Sequence, residues 1–324
     1  MGENILEFLR NNIIAAAVLG LIVALILGPI IIPALRRLKF GQNIREEGPK
    51  SHLKKAGTPT IGGIIFLLST TLVVLLMGYD FNDEAMIALY SMLAFGFIGF
   101  LDDLLKIIKK QNEGLKAYQK MILLVVFSLA IAVYGYYNLD TSLSVPFFDI
   151  EWSLGILYIP FVVFYFAAVT NAVNFTDGLD GLATSVTILV LTFFGVVAYV
   201  LGYGSLAIFI AILIGGLFGF LKFNAYPAKV FMGDTGSLAL GGVVGAVALI
   251  MGEPFLVVIV GGIYVFEVVS VILQVASFKL RGKRIFKMAP VHHHFEQLGW
   301  SEIKIVTIFS IITIILCVIG FLAL

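Results

Sequence analysis

Charged residues are scarce in this sequence, and their scarcity indicates the class of protein. Aspartate, glutamate, lysine and arginine make up 13% of the 324 residues, whereas hydrophobic residues make up 60%. Soluble globular domains have roughly 25% charged residues and roughly 45–50% apolar residues. The mean hydropathy is +1.06. A soluble fold of this length has too small an interior to bury so many apolar side chains. The composition excludes a soluble protein and indicates an integral membrane protein.

Cysteine is nearly absent, which excludes two kinds of site. The one cysteine, Cys317, lies in an apolar run, so the chain has neither an intrachain disulfide nor a cysteine-type metal site. We interpret Cys317 as a small buried apolar residue. The N-terminus also lacks the basic segment and small-residue cleavage site of a removable signal, so we expect the first apolar run to remain as a span.

Long apolar runs make up most of the chain. A transmembrane helix needs about 20 predominantly apolar residues, and runs of this kind predict an all-α fold. We expect a polytopic transmembrane helical bundle of about ten spans, forming one domain over residues 1–324. The predicted spans are Ile13–Leu35, Ile61–Met77, Ala85–Leu101, Met121–Tyr137, Leu154–Val173, Leu182–Leu201, Leu206–Leu221, Leu238–Met251, Phe255–Phe278 and Ile303–Leu324.

Basic residues fall almost entirely on alternate loops of this arrangement. One set of loops holds 20 of the 21 lysine and arginine residues, and only Arg10 lies on the other side. Cytoplasmic loops of membrane proteins carry such an excess. We therefore expect five cytoplasmic loops that form the active site, with both chain termini on the outer face. The longest outer loop, Asn138–Ser153, alternates in places and predicts a small hairpin.

Two adjacent acids, Asp102 and Asp103, follow the third predicted span. Carboxylates beside a membrane are unfavourable unless neutralised, and Mg²⁺ prefers carboxylate oxygens together with substrate phosphates. Adjacent residues do not share a helix face, so we expect different tasks for the two acids: one binds metal and the other holds or deprotonates a nucleophile. The alternative is a solvated helix end in which Lys106, four residues on, pairs with Asp102.

The segment Asn171–Leu182 contains acids and amides but no lysine or arginine. A helix would line Asn171, Asn174 and Asp177 along one side, and Asp180 between two glycines predicts a tight turn. Acids without basic neighbours need neutralisation from outside the segment, which favours a metal or a basic contact over a simple turn.

The fourth cytoplasmic loop offers one acid and two residues suited to a nucleobase. Asp234 is either a catalytic carboxylate or the N-cap of the eighth span. Asn224 can hydrogen-bond to a base and Phe231 can stack on one, since every nucleobase has a π-face. The alternative for both residues is ordinary packing of the loop.

The last and the first cytoplasmic loops are basic. Consecutive histidines, His292–His294, chelate one metal ion poorly, so phosphate contacts are favoured over zinc and over a solvated face. The first loop, Gly48–Thr60, binds either anionic lipid headgroups or phosphate. Glu267 is the one acid well inside an apolar run, and it is either paired within the bundle or near a helix break.

Together these motifs resemble the polyprenyl-phosphate N-acetylhexosamine-1-phosphate transferase superfamily over nearly the whole chain. The pair Asp102–Asp103, the segment Asn171–Leu182 and the stretch Phe231–Asp234 are similar to catalytic motifs that the superfamily shares. The stretch Pro290–Phe295 and the first loop, Gly48–Thr60, resemble the branch that transfers phospho-N-acetylmuramoyl-pentapeptide.

The resemblance implies a Mg²⁺-dependent enzyme of peptidoglycan synthesis. Its substrates would be UDP-N-acetylmuramoyl-pentapeptide and undecaprenyl phosphate, and its products lipid I and UMP. It also implies the bacterial cytoplasmic (inner) membrane, with the active site on the cytoplasmic face, a homodimer and no nucleic acid partner. Phosphoryl transfer of this kind needs mainly charge neutralisation and alignment. The sequence leaves open whether the lipid phosphate attacks directly or an aspartate first takes the phospho-sugar.

The resemblance also distributes roles among the candidate residues. The metal is assigned to Asp234 and Asp177. Catalysis is assigned to Asp102, Asp103, Asp234, His292, His293 and His294. Substrate binding is assigned to Lys55, Thr60, Lys116, Lys120, Asn171, Asn174, Asp180, Asn224 and Phe231, with Lys116, Lys120 and the histidines on phosphate oxygens and with Lys55, Asp180, Asn224 and Phe231 on the uridine.

Three rival functions remain open at this point. A sister transferase that uses UDP-N-acetylglucosamine would have the same chemistry, and an assay with both donors separates the two. A secondary transporter would suit broken helices and intramembrane polar residues, although the charges here cluster in loops on one face. A scaffold protein would have no catalytic activity, so the substitution Asp234→Asn would change nothing in an activity assay.

Overall fold

The protein is a helical bundle with one small sheet. The computed structural model describes residues 2–38, 55, 57–109, 111, 113–148 and 150–324, so the stretch Gly48–His52 lies outside the described residues. The helices are α1 (Gly2–Asn11), α2 (Ile13–Arg37), α3 (Ile64–Met77), α4 (Glu84–Lys109), α5 (Ala117–Asn138), α6 (Tyr158–Thr176), α7 (Leu182–Val200), α8 (Gly204–Asn224), α9 (Gly233–Ile250), α10 (Leu256–Val260), α11 (Gly262–Arg281), α12 (Val291–Gln297) and α13 (Glu302–Leu322).

The helices confirm the predicted all-α membrane fold. In the described part of the chain, nine helices are long and apolar enough to cross a membrane, and α3 is a shorter apolar helix of 14 residues. Each predicted span coincides with one of these helices, except the ninth. The predicted hairpin is also present, because β1 (Ser142–Ser144) pairs antiparallel with β2 (Glu151–Ser153). The chain is a multi-pass membrane protein.

The ninth predicted span, Phe255–Phe278, was expected to be one helix and is two. The helix α10 ends at Gly261, and α11 begins at Gly262. Glycine costs about 1 kcal/mol in a helix relative to alanine, so two in succession weaken the helix at this point. A side chain at Gly261 would also overlap the carbonyl oxygen of Val257. These two glycines therefore mark the break between α10 and α11.

Two other helix starts differ from the prediction, one later and one earlier. The second span was predicted from Ile61, but Gly62 and Gly63 donate their backbone N–H groups to the carbonyls of Phe231 and Met232 before α3 begins. The eighth span was predicted from Leu238, whereas α9 begins five residues earlier. Asp234 therefore lies inside the first turn of α9 and is not its N-cap.

Small residues bring α4 against α9, the most completely buried of the candidate spans. Gly96 lies against Ala239, and Gly242 lies against the ring of Phe95. At Gly99 the contact is closest, because a methyl group there would overlap the carbonyl oxygen of Asp234. Close approach of helix backbones is the usual role of such residues within membranes. The packing places the last turns of α4 beside the first turn of α9.

The loops sort to two ends of the bundle. At one end, Lys120 contacts Asp234 across 3.0 Å. At the other end, Phe147 donates its backbone N–H to the carbonyl of Ala323, at the end of the last helix. Arg10, near the start of the chain, donates to the carbonyl of Met77, where α3 ends. Both the described start of the chain and its end therefore lie at the end of the bundle opposite the acidic residues. The alternation of the loops predicts this arrangement.

Candidate active site

Three carboxylates converge where α4 meets α9. One oxygen each from Asp102, Asp103 and Asp234 lies within 4.8 Å of the other two. Asp102 and Asp103 are only 4% and 2% exposed. Negative charges this close together and this poorly hydrated require positive charge nearby. We call Asp102, Asp103 and Asp234 the acidic triad.

Two lysines supply part of that positive charge. The Nζ of Lys106 lies 2.6 Å from Asp102 Oδ2 and 3.2 Å from Asp234 Oδ2. The Nζ of Lys120 lies 3.0 Å from the same oxygen of Asp234. Two ammonium groups against three carboxylates leave one negative charge. Lys106 was not predicted as a site residue, because its spacing from Asp102 indicates a surface ion pair equally well.

The adjacent acids Asp102 and Asp103 are held by different donors. Thr235 donates both its backbone N–H and its hydroxyl to Asp103 Oδ2, across 2.9 and 2.7 Å. Asp102 Oδ1 accepts the backbone N–H of Leu115, from the loop before α5, across 2.8 Å. Asp103 is therefore fixed to the first turn of α9, and Asp102 to the α4–α5 loop. One oxygen of each acid still reaches Asp234, and the assignment of different tasks to the two acids stays a prediction.

Asp234 is held from α6 and by its place in α9. Asn174 donates its side-chain amide to Asp234 Oδ1 across 3.0 Å and to the hydroxyl oxygen of Ser237 across 2.7 Å. A carboxylate in the first turn of a helix is also stabilised by the unpaired N–H groups there. The carboxylates of the acidic triad thus come from α4 and α9, and α6 contributes a donor that holds one of them.

Asp177, at the C-terminal end of α6, borders the acidic triad and is not part of it. Burial raises the pKa of Asp177 well above its usual range, and the negative charges of Asp234, Asp103 and Asp180 raise it further. The side chain therefore favours its neutral form unless a cation is present. The charges of the acidic triad and of Asp180 both act on Asp177. The turn that contains Asp177 therefore lies between the acidic triad and Asp180.

We expect the substitution Asp177→Asn to raise the melting temperature in EDTA-containing buffer. The unfolded carboxyl ionises near pH 3.9 and the folded one only at higher pH, so ionisation disfavours the folded state. The gain should be absent near pH 3.9, grow as pH rises towards the raised pKa of Asp177 and level off above it. Thermal unfolding across this pH range checks it, and a loss of stability at neutral pH would contradict the electrostatic account.

A second charged cluster joins three distant parts of the chain. Lys55 Nζ lies 2.7 Å from Asp180 Oδ1 and 2.7 Å from Glu302 Oε2. Burial lowers the pKa of Lys55, but hydrogen bonds and ion pairs with the two acids outweigh burial, so the pKa lies above its ordinary value. Asp180 Oδ2 also accepts the backbone N–H of Ala228. Glu302, at the start of α13, was not predicted, because no local pattern marks it.

We expect the substitution Lys55→Met to destabilise the protein by about 3 kcal/mol, because it leaves two buried carboxylates without their shared cation. A large fall in melting temperature in detergent is the measurement that checks this prediction. Lys229 is exposed on a neighbouring loop, so Lys229→Met is the matched control and should leave the melting temperature unchanged. Equal effects of the two substitutions would contradict the ion-pair account.

Asn224 and Phe231 hold the loop between α8 and α9. Asn224 accepts the hydroxyl of Thr184 across 2.8 Å and donates to the carbonyl of Val230 across 3.1 Å. Phe231 donates its backbone N–H to the carbonyl of Pro59, and its ring is half-buried. Packing of the loop, one of the two interpretations open from the sequence, accounts for both contacts of Asn224 and leaves part of the Phe231 ring accessible.

The three histidines have three different environments. His292 is fully buried, and its Nδ1 lies 3.1 Å from Glu267 Oε1. His293 Nδ1 lies 2.6 Å from Glu296 Oε2. His294 Nδ1 accepts the backbone N–H of Lys287 across 3.1 Å. The rings of His292 and His293 contact each other, with centroids 4.1 Å apart, whereas the ring of His294 packs against Phe286 and Phe295.

The remaining predicted residues divide between the acidic triad and its surroundings. The hydroxyl of Thr60 lies beside Gly233 and Asp103 in the same buried corner. Lys116 is exposed at the N-cap of α5. Asn171 donates its amide to the carbonyl of Ala167 in its own helix. Among the described residues, neither Lys116 nor Asn171 forms a hydrogen bond or ion pair with the acidic triad.

Comparison with known proteins identifies relatives along the entire chain. Residues 85–252, which include the acidic triad, match glycosyl transferase family 4. The chain is 60% identical over 324 residues to the phospho-N-acetylmuramoyl-pentapeptide-transferase of Clostridium botulinum, with 100% of both chains covered. It is 65% identical over 322 residues to the protein of the same name from Clostridium perfringens, with 99% of this chain and 100% of the relative covered. The chain therefore belongs to the phospho-N-acetylmuramoyl-pentapeptide-transferase family, a family of membrane transferases.

Proposed function

We propose that the protein transfers phospho-N-acetylmuramoyl-pentapeptide from its UDP-linked donor to undecaprenyl phosphate, forming lipid I and releasing UMP in peptidoglycan synthesis. The acidic triad carries the proposal, together with the family to which the chain belongs. A reaction between a charged nucleotide and a prenyl lipid requires charged groups at the edge of an apolar bundle. Asp102, Asp103 and Asp234 lie at such an edge, where three membrane helices end or begin.

The acidic triad suits a divalent cation such as Mg²⁺. Its donors are carboxylate oxygens, which Mg²⁺ prefers together with substrate phosphates, and the two lysines leave one negative charge uncompensated. Asp234 would hold the ion, with an oxygen of Asp102 or Asp103 within reach and with Asp177 as the further predicted ligand. Such an ion, when bound, supplies positive charge to the diphosphate and to the leaving UMP.

The chain's own groups then bind and align the two substrates. Asp102 or Asp103 holds or deprotonates the lipid phosphate, and the ammonium groups of Lys106 and Lys120 hold phosphate oxygens. The cluster of Lys55, Asp180 and Glu302, together with the half-buried ring of Phe231, recognises the uridine. Asn224, which pairs with Thr184 and Val230, holds the loop that carries Phe231. The turn at Asp177 lies between the uridine residues and the acidic triad, so the diphosphate spans this turn.

We also propose that this end of the bundle faces the cytoplasm of a bacterium, in its inner membrane. The distribution of 20 of the 21 basic residues on this side supports the orientation, since lysine and arginine are retained on the cytoplasmic side. A soluble UDP-linked donor is then accessible to the active site. The homodimer implied by the family stays a prediction.

The test is release of UMP by the protein in proteoliposomes that contain undecaprenyl phosphate. We expect release from UDP-N-acetylmuramoyl-pentapeptide with Mg²⁺, and none with EDTA or without the lipid phosphate. Release from UDP-N-acetylglucosamine instead would identify the sister transferase, and uptake of a solute without UMP release would identify a transporter. Incubation of the donor without lipid phosphate distinguishes the mechanisms, because a covalent phospho-sugar on an aspartate would exclude direct attack.

A further inference from the structure

Glu267 is a buried acid outside the acidic triad. It lies in α11 and is 0% exposed. Its Oε1 is 3.1 Å from Nδ1 of His292, which is also 0% exposed. Its Oε2 lies 3.5 Å from the backbone nitrogen of the same histidine. An acid this far from water is costly unless it is paired, and both of its oxygens face His292.

The two ring nitrogens of His292 differ in what lies near them. In the described part of the chain, both ring nitrogens and Oε1 of Glu267 are buried without an aligned hydrogen bond; Nδ1 has Oε1 at 3.1 Å, whereas Nε2 has no polar partner. It lies against Gly178, where even a methyl group would overlap it. A buried polar atom without a hydrogen-bond partner is destabilising, so its presence points to a partner that binds there.

The position of Gly178 indicates what that partner is. Gly178 follows Asp177 directly and lies two residues before Asp180, so it belongs to the turn between the acidic triad and the Lys55 cluster. A nucleotide with its base at the Lys55 cluster and its phosphates at the acidic triad crosses this turn. The atom of such a ligand that an imidazole N–H would meet is a phosphate oxygen.

We propose that Glu267 is a positioning residue, which holds Nδ1–H of His292 and so presents Nε2–H to a phosphate oxygen of the nucleotide donor. A carboxylate at Nδ1 fixes the tautomer and orientation of an imidazole, and it stabilises the imidazolium, in which both nitrogens are donors. The inference rests on the proposed function for the identity of the ligand. It gives the buried acid of α11 a task in the reaction.

A double-mutant cycle tests whether Glu267 acts through His292. We expect Glu267→Gln to lower kcat for UMP release about 10- to 100-fold with little change in KM for the lipid phosphate. In a His292→Gln background, Glu267→Gln should cause no further loss, because the group that it positions is gone. Ser270→Ala is the control: Ser270 is buried one turn along α11 and donates its hydroxyl to the backbone carbonyl of Glu267, so activity should stay at the wild-type level.

A second measurement does not depend on activity. The chain has four histidines, so ¹⁵N NMR of histidine-labelled protein can identify the His292 signals by their loss in His292→Gln. We expect a protonated Nδ1 in the wild type and a changed protonation pattern in Glu267→Gln. If Glu267→Gln does not assemble, Glu267→Asp replaces it in both experiments, with a smaller expected loss of kcat.

Three results would overturn the inference: losses that multiply in the double mutant, an unchanged His292 spectrum in the Glu267 variant, or full activity of Glu267→Gln. Absence of UMP release from the wild-type protein would instead refute the proposed function, and the NMR result would still report on the Glu267–His292 pair. The failure of one proposal is therefore distinguishable from the failure of the other.

Discussion

The substitution Asp234→Asn is expected to lower kcat for UMP release by about 10³-fold or more, because the active site loses the charge around which it is built. Asp234 is contacted by Lys106, Lys120 and Asn174, which come from three other segments of the chain. Asparagine has nearly the same size, so the helices should still pack and insert into the membrane. Steady-state UMP release in proteoliposomes, beside a measurement of membrane insertion, checks both expectations.

Asp140→Asn is the matched control for this substitution. Asp140 lies on the loop before the hairpin, at the opposite end of the bundle, where it accepts the backbone N–H of Ser142. The control removes one carboxylate from the chain and should leave kcat unchanged. Comparable activity of Asp234→Asn and Asp140→Asn would mean that the acidic triad does not take part in the reaction.

The substitution Gly99→Ala is expected to reduce activity at least about 100-fold, since a misplacement of about 1 Å can have that effect on an active site. The added methyl group would overlap the carbonyl oxygen of Asp234, so α4 must move away from α9. The movement would separate Asp102 and Asp103 from Asp234. Overpacking of this kind also costs about 1–3 kcal/mol of stability. UMP release and the melting temperature of the same preparation measure the two effects.

Gly204→Ala is the control for the glycine substitution. Gly204 begins α8 and has open space around the position of an added methyl group. Alanine there should preserve activity and should keep or slightly raise the melting temperature, because alanine favours helix more than glycine does. Wild-type activity of Gly99→Ala would contradict the role of the close α4–α9 contact in shaping the site.

The sequence predicts the membrane helices well because length and apolar character decide them locally. The interruption of the ninth span and the late start of α3 depend on other information. Gly261 and Gly262 fit close packing as well as a break, and Gly62 and Gly63 pair with Phe231 and Met232 before α3 begins. Such pairings between loops leave no periodic pattern in either partner.

The sequence predicts some residues of the candidate site but not the partners that they contact. Acids without basic neighbours, such as Asp177 and Asp180, signal that partners come from elsewhere, but they do not say from where. Lys55 and Glu302 meet Asp180 from 125 and 122 residues away along the chain. Glu267 is the clearest example, because its partner His292 lies in a helix that follows a long basic loop. Long-range contacts of this kind become visible only in three dimensions.

One divalent ion is expected to bind where Asp102, Asp103 and Asp234 converge. Electron paramagnetic resonance with Mn²⁺ in place of Mg²⁺ tests it on the purified protein without substrates. The account predicts one bound Mn²⁺ per chain in the wild type and in Asp140→Asn, and none at the same concentration in Asp234→Asn. Undiminished Mn²⁺ binding by Asp234→Asn would contradict it.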